Sequence, residues 1–135
     1  MKIYTDGACS PNPGNGGWGY VVVIDSKIVS EAFGREKNTT NNRMELMAVI
    51  KALEWVKAKR ITVYSDSRYI VDAFNKGWVD TWITTGFKKG TIKNIDLWMR
   101  LLILNERVKP KWKWVKGHNG NEFNERADHL ASFKQ

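Results

Sequence analysis

The sequence predicts an α/β layer fold with a mixed sheet. Three observations carry this. The chain opens with three β-type segments joined by short connections. The apolar period then switches from two to about 3.6. After that, short strands alternate with helices, in the order βββαβα(α)αβα. The chain has 135 residues, the size of one domain, and no internal repeat or long linker divides it. The expectation is therefore a single domain over residues 1–135.

Residues 2 to 9 read as the first strand, with Ile3 and Thr5 alternating with Lys2, Tyr4 and Asp6. The run Ser10-Pro11-Asn12-Pro13-Gly14-Asn15-Gly16-Gly17 reads as a turn. A second strand is expected over residues 18 to 24 and a third over 28 to 36, joined by a turn at Asp25-Ser26-Lys27. Such short connections favour an antiparallel meander.

Leu46, Val49, Ile50, Leu53 and Val56 then recur at helical spacing. Thr40, Asn41 and Asn42 are suitable N-caps, which predicts a helix over residues 42 to 58 with Glu45 in its first turn. Residues 61 to 65 form a short strand, reached by a parallel, right-handed crossover. Asp66 or Ser67 caps the next helix, which carries Tyr69, Ile70, Ala73 and Phe74 and stops at Gly77. A short helix follows over 78 to 84, and Gly86 and Gly90 bracket a basic loop. Residues 94 to 106 form a helix, 111 to 116 a strand in which Lys alternates with Trp112 and Trp114, and 117 to 120 a loop. A last helix starts near residue 122 and carries Ala127, Leu130, Ala131 and Phe133.

Lys and Arg number 22 against 14 Asp and Glu, a net charge of +8, which favours a polyanionic partner. The excess is uneven. Residues 76 to 116 hold ten basic and three acidic side chains, a net +7, which the sequence sets beside the candidate site. Read plainly this is a solvated surface; read functionally, with Trp78, Trp82 and Phe87 nearby, it is a footprint for a phosphate backbone. The single cysteine, Cys9, excludes an internal disulfide framework and a cysteine-rich metal site. No run of 18 apolar residues exists, and Asp6 interrupts any signal-peptide core, so the chain reads as cytoplasmic with no membrane partner.

Four acids lack ordinary company. Asp6 lies inside a strand, Glu45 between Met44 and Leu46, Asp66 at the end of an apolar strand, and Asp128 beside Ala127, Leu130 and Ala131. Carboxylates so placed need partners. Three have a structural alternative: Glu45 can favour its helix N-terminus, Asp66 can cap, and Asp128 can pair with Arg126 or Lys134. Asp6 has none. With two histidines and one cysteine in the chain, a tetrahedral zinc site is disfavoured. Clustered carboxylates suit Mg²⁺ or Mn²⁺, and two such ions about 4 Å apart clamp a phosphate and activate water. Burying the four without metal raises at least one pKa. His118, between Gly117 and Gly120, reads as an exposed loop residue or a proton shuttle. His129 reads as a helix surface residue. The Gly14 to Gly17 run lacks the Lys-Ser/Thr partner of an ATP phosphate loop.

These residues carry a signature. Tyr4-Thr5-Asp6-Gly7-Ala8-Cys9 with Asn12-Pro13-Gly14, Thr40-Asn41-Asn42-Arg43-Met44-Glu45-Leu46, Tyr64-Ser65-Asp66-Ser67, Asn94-Ile95-Asp96-Leu97-Trp98, and Trp114-Val115-Lys116-Gly117-His118 with Asn124-Glu125-Arg126-Ala127-Asp128 occur in that order. Across essentially its whole length the chain resembles type 1 ribonuclease H. The resemblance implies a ribonuclease H-like fold: a five-stranded mixed sheet, three antiparallel then two parallel strands, flanked by helices. It implies an endonuclease for the RNA strand of RNA/DNA hybrids, leaving 3′-hydroxyl and 5′-phosphate ends; nothing in the sequence requires a dimer, so a monomer is expected. Asp6, Glu45, Asp66 and Asp128 would hold two Mg²⁺ ions, or Mn²⁺ in their place. Asp6 would bridge both, Glu45 and Asp66 would complete one, and Asp128 the other. His118 would move a proton or help release product.

By the same resemblance, Asn12, Asn42 and the backbone at Gly7 and Cys9 face the RNA strand, where the 2′-hydroxyl separates RNA from DNA. Thr40 faces a DNA phosphate and Trp78 a DNA sugar. The basic segment with Lys88, Lys89 and Lys93 matches the substrate-binding protrusion. Two departures stand out: that protrusion is several residues shorter than in well-known bacterial members, and Arg68 replaces a common polar glutamine after the Asp66-Ser67 pair, which bears on affinity and minor-groove contacts. No separate N-terminal hybrid-binding module is expected, since the signature begins at residue 4.

A basic nucleic-acid-binding domain without catalysis explains the net charge but not the four acids, which oppose phosphate unless metal neutralises them. A resolvase- or transposase-like nuclease is disfavoured by the Thr40-Asn41-Asn42 and Lys116-Gly117-His118 motifs. A small-molecule enzyme finds no phosphate loop or dinucleotide fingerprint in the chain.

Overall fold

The computed structural model describes residues 1–57, 60–117 and 120–132. Among these residues the chain runs β1 (Lys2–Cys9), β2 (Gly14–Ile24), β3 (Lys27–Thr39), α1 (Asn41–Trp55), β4 (Thr62–Ser65), α2 (Arg68–Asn75), α3 (Trp78–Thr84), α4 (Gly86–Gly90), α5 (Ile95–Val108), β5 (Lys111–Trp114) and α6 (Glu122–Ala131). The strands form one sheet in the order β3-β2-β1-β4-β5. β1, β2 and β3 pair antiparallel, and β4 joins β1 and β5 in parallel. This is the five-stranded mixed sheet that the resemblance implies.

Helices cover both faces. Ile3, Tyr20, Val22 and Val63 pack against α1, α2, α3 and α5, while Tyr4, Val21 and Val23 pack against Ala127 and Leu130 of α6. The alternation of β1 therefore does not divide core from solvent. Ile3, Tyr4, Thr5 and Asp6 are all buried, because each face has its own helical layer. Trp98 anchors the larger layer. It is fully buried, meets Tyr69 and Trp82 edge-on, and donates from Nε1 to the Tyr69 hydroxyl at 2.8 Å.

Five local expectations are revised. β2 begins at Gly14 rather than residue 18: the glycine run is paired strand, with Gly16 opposite Cys9 and Gly17 opposite Ala8. β3 continues to Thr39, where Thr39 pairs with Gly14. α1 ends at Trp55, and β5 ends at Trp114. The segment between Gly86 and Gly90 is a tight left-handed turn, with Phe87, Lys88 and Lys89 at φ of 57, 51 and 56°. The caps follow the residue chemistry. Thr40 accepts from the Arg43 amide, Ser67 from the Ile70 amide, and Asn121 from the amides of Phe123 and Asn124.

No helix among the described residues is long and apolar enough to cross a membrane.

Candidate active site

Strand register brings the first two acids together. Thr5 lies opposite Ser65 as the last pair of the parallel β1–β4 ladder, so Asp6 and Asp66 follow side by side where this pairing ends. Gly7 brings the third. A Cβ at residue 7 would collide with the backbone of Met44 and Glu45, so only glycine lets α1 lie this close to β1. A glycine also seats the fourth. A Cβ at Gly19 would stand 2.6 Å from the Leu130 Cβ and 3.0 Å from the Ala127 carbonyl, so α6 rests directly on β2. Asp128, on that helix, reaches the cleft that Asp6, Glu45 and Asp66 line, which encloses about 440 Å³.

Asp6 and Glu45 are each 5% exposed. Oxygen atoms of Asp6, Glu45 and Asp66 lie within 4.8 Å of one another. Asp128 stands outside this tighter triad but interacts with Asp6 directly. Burial, and next the charge of Asp66, pushes the Asp6 carboxyl up to about 8, while Glu45 partly offsets this. Glu45 is raised well above the usual carboxylate range by burial, then by the charges of Asp6 and Asp66. One oxygen, Oε2 of Glu45, is buried with no hydrogen-bond partner among the described residues. Three converging hard-oxygen ligands, raised affinity for a cationic partner and an orphaned carboxylate oxygen fit a divalent cation.

Three of the four structural alternatives fall away. Glu45 sits one residue beyond the first turn of α1 and is buried, so it does not serve the helix N-terminus from solvent. Ser67, not Asp66, caps α2. Arg126 forms a bidentate pair with Glu31 at 2.6 and 2.9 Å, which leaves Asp128 facing the cleft. Lys134 and Phe133 lie outside the described residues, as does His118.

With the geometry in place, comparison decides the family. The family model described as RNase H matches residues 1–134. The chain belongs to the RNase H family. Ribonuclease H of Francisella tularensis subsp. novicida is 49% identical over 133 residues, which span 96% of this chain and 86% of that protein. Ribonuclease H of Francisella philomiragia is similar at the same identity and coverage. Among solved structures, LC9-RNase H1, described as a type 1 RNase H, aligns with a TM-score of 0.82 at 34% identity, covering 96% of this chain and 69% of its own. LC11-RNase H1, solved in complex with an RNA/DNA hybrid, aligns with a TM-score of 0.71 at 26% identity, covering 96% of this chain and 92% of its own. These neighbours place the chain with the type 1 RNases H.

The remaining residues that the RNase H resemblance points to are distributed around the cleft. Gly7, Asn42 and Arg68 line it directly. Asn12 reaches its rim by accepting a hydrogen bond from the Asn41 amide at 3.1 Å. Thr40 caps the helix that carries Glu45. Cys9 donates from Sγ to the carbonyls of Pro11 and Thr39, which ties the strand end to its neighbours rather than to a metal. Trp78 is half-exposed, with the Lys76 ammonium 5.8 Å from its ring centroid. Lys88 and Lys89 stand in the left-handed turn, and Lys93 precedes Asn94, whose side chain bonds Tyr69 and Arg43 near the cleft. None of Cys9, Asn12, Thr40, Trp78, Lys88, Lys89 or Lys93 is among the residues lining the carboxylate cleft.

Tyr69 and Asn41 do line it, and neither was marked by the sequence as a site residue. The Tyr69 hydroxyl accepts from Trp98 and Asn94, so its polar partners mark it as a bridge between core and cleft; no pattern in the sequence announces that role. Arg68 is held with its guanidinium 3.9 Å from the Trp114 ring centroid.

Proposed function

We propose that this chain cleaves the RNA strand of RNA/DNA hybrids by two-metal-ion catalysis, leaving 3′-hydroxyl and 5′-phosphate ends. The observation that carries the reading is the convergence of buried Asp6 and Glu45 with Asp66 on one end of a parallel strand pair, in a chain of the RNase H family. Asp6, Glu45, Asp66 and Asp128 would hold the two ions, Asp6 contributing to both, Glu45 and Asp66 to one, and Asp128 to the other. When bound, two Mg²⁺ ions, or Mn²⁺, supply an activated water and offset the charge that develops on the leaving oxygen.

The chain's own residues do the rest. The rigid β1–β4 end fixes the carboxylates before substrate arrives, so little reorganisation is needed. Asn12, Asn42 and the Gly7 and Cys9 backbone read the RNA strand, where a 2′-hydroxyl offers a donor and an acceptor that DNA lacks. Thr40 and Trp78 meet the DNA strand. Lys88, Lys89 and Lys93 add attraction for the phosphate backbone, and Arg68 brings a cation to the cleft wall where a neutral glutamine is common. His118 moves a proton or helps product leave. The 135 residues act as one catalytic domain, as a monomer, in the cytoplasm.

The test is cleavage of hybrid, RNA/RNA, DNA/DNA and single strands with and without Mg²⁺. The expected result is metal-dependent cutting of the RNA strand in the hybrid, lost by at least a hundredfold in Asp6→Asn, with 5′-phosphate ends. Equal cutting of all substrates overturns the specificity, and full activity of Asp6→Asn overturns the site.

A further inference from the structure

A second cavity, of about 730 Å³, is larger than the carboxylate cleft and lies at the opposite end of the sheet, where β4 and β5 begin. Arg60, Arg107, Lys109 and Lys111 line it, with Glu106 as the single acid. Glu106 is already matched by Lys109 at 3.7 Å. Two of the cations have a structural use. Arg107 donates to the carbonyls of Leu53 at 2.6 Å and Val56 at 3.2 Å, closing the end of α1, and Lys109 closes α5. Arg60 and Lys111 have no ion-pair partner among the described residues.

The backbone adds a second observation. Arg60 and Lys109 both take left-handed conformations, at φ of 64 and 51°. Glycine or asparagine fills such positions at lower cost, and glycine is usual where a helix closes. Here two long cations are kept at that cost, and both line one cavity. Strained residues that converge on a concave surface with a net cationic lining point to a ligand of opposite sign.

We propose that this basal cavity binds phosphate groups of a nucleic-acid backbone, as a contact separate from the carboxylate cleft. The choice of nucleic acid rests on the proposed function; the cavity and its charge do not. Arg60 and Lys111 provide the unpaired charge, while Arg107, fixed by two carbonyls, holds the cavity open. α5 runs from the cleft side to this cavity, and its 14 residues span about 21 Å. At about 3.4 Å per base step, that corresponds to roughly six base pairs. Only nucleic acid longer than the stretch the cleft covers would therefore reach both.

The test compares Arg60→Glu/Lys111→Glu with the parent, in an Asp6→Asn background so that substrate stays intact. Hybrids of about 8 and about 30 base pairs separate the two contacts, because 8 pairs centred on the cleft extend only about 14 Å to either side and stop short of the cavity. The expected result is about tenfold weaker binding of the long hybrid at low salt, with a salt slope shallower by about 2, since each phosphate contact contributes about 0.9. The short hybrid binds both proteins equally, and with Asp6 restored the charge-reversed protein cuts it at the parent rate. Arg60→Lys/Lys111→Arg keeps long-hybrid binding. Unchanged long-hybrid affinity and slope in the charge-reversed protein overturns the proposal. So does an equal loss in the lysine/arginine swap with an unchanged Tm, because charge would then not be the cause. If inorganic phosphate raises the Tm of the parent alone while long-hybrid affinity is equal in both, the cavity takes a free anion and the nucleic-acid assignment is overturned. Failure of the proposed function itself would show separately, as no cleavage of the short hybrid by the unaltered chain.

Discussion

Asp6 and Glu45 are raised acids in a buried cluster, and this makes the metal-free fold sensitive to pH in a definite direction. Burial and the Asp66 charge hold Asp6 at about 8, and Glu45 also lies above its usual range. The folded chain thus keeps protons that the unfolded chain releases near pH 4. The stability tied to these protons is complete below the unfolded value and is lost as pH rises towards about 8. Metal-free Tm should therefore fall between pH 5 and 9, and Asp6→Asn should flatten the part of that fall tied to Asp6. A thermal melting series in chelator checks this, and a flat profile for the unaltered chain would contradict it. Arg68 belongs to the same scale. Its guanidinium rests on Trp114 and is presented to the cleft. Arg68→Gln should raise KM for hybrid several-fold and make its salt slope shallower by about 1, with kcat nearly unchanged. Steady-state kinetics over a salt range measures all three.

At the scale of elements, α6 is the part whose position matters most and whose anchoring was least legible. Arg35 of β3 donates to the carbonyls of Leu130 at 2.8 Å and Ser132 at 2.6 Å, closing the end of the helix. Glu31 of the same strand grips Arg126. Two side chains of β3 thus hold the helix that carries Asp128. Arg35→Ala should cost about 2 kcal/mol of stability, the scale of a charged hydrogen-bonded group lost from part-buried carbonyls. It should also raise the Mg²⁺ concentration needed for half-maximal activity several-fold. Denaturant titration and a Mg²⁺ titration separate the two effects; a stability loss without any shift in Mg²⁺ demand would detach Arg35 from the site.

What the sequence disclosed at this scale follows from local chemistry. Thr40 and Ser67 cap their helices, Gly77 ends a helix at φ 74°, and the 3.6-residue period locates the buried face of α1. What it hid depends on distant partners. Gly14 to Gly17 reads as a turn because glycine usually breaks strands, whereas here the missing side chains admit other parts of the chain. A Cβ at Gly16 would stand 2.6 Å from Thr39, and one at Gly17 would strike the Ala131 carbonyl. Burial on both faces of β1 likewise depends on α6, more than 110 residues away in the chain. The four acids were legible as a set because they lacked local partners; Tyr69 was not, because its partners Trp98 and Asn94 lie on α5 and just before it.

For the whole molecule, the cleft couples ion binding to folding. A cation that binds only the folded chain stabilises it by about 2.7 kcal/mol at a concentration one hundred times its Kd. Mg²⁺ or Mn²⁺ should therefore raise the Tm of the unaltered chain and leave that of Asp6→Asn nearly unmoved, which differential scanning calorimetry reads directly. The basic segment also changes meaning once folded. In the sequence its net +7 sits beside the candidate site. In the fold, α5 divides it. Lys93 stays near the cleft side, Arg100 pairs with Glu54 along the helix, and Arg107, Lys109 and Lys111 stand at the far end of the sheet.

The length of α5, about 21 Å, can be set against the reach of charge in salt water. That reach is about 8 Å at physiological ionic strength and about 30 Å at 0.01 M. In dilute buffer the two cationic groups act together, and the chain behaves as one +8 body towards a charged resin or an approaching duplex. At physiological salt each acts within its own neighbourhood. Net charge then no longer describes how the molecule meets a polyanion, and a salt titration should pass from a shared response to two local ones.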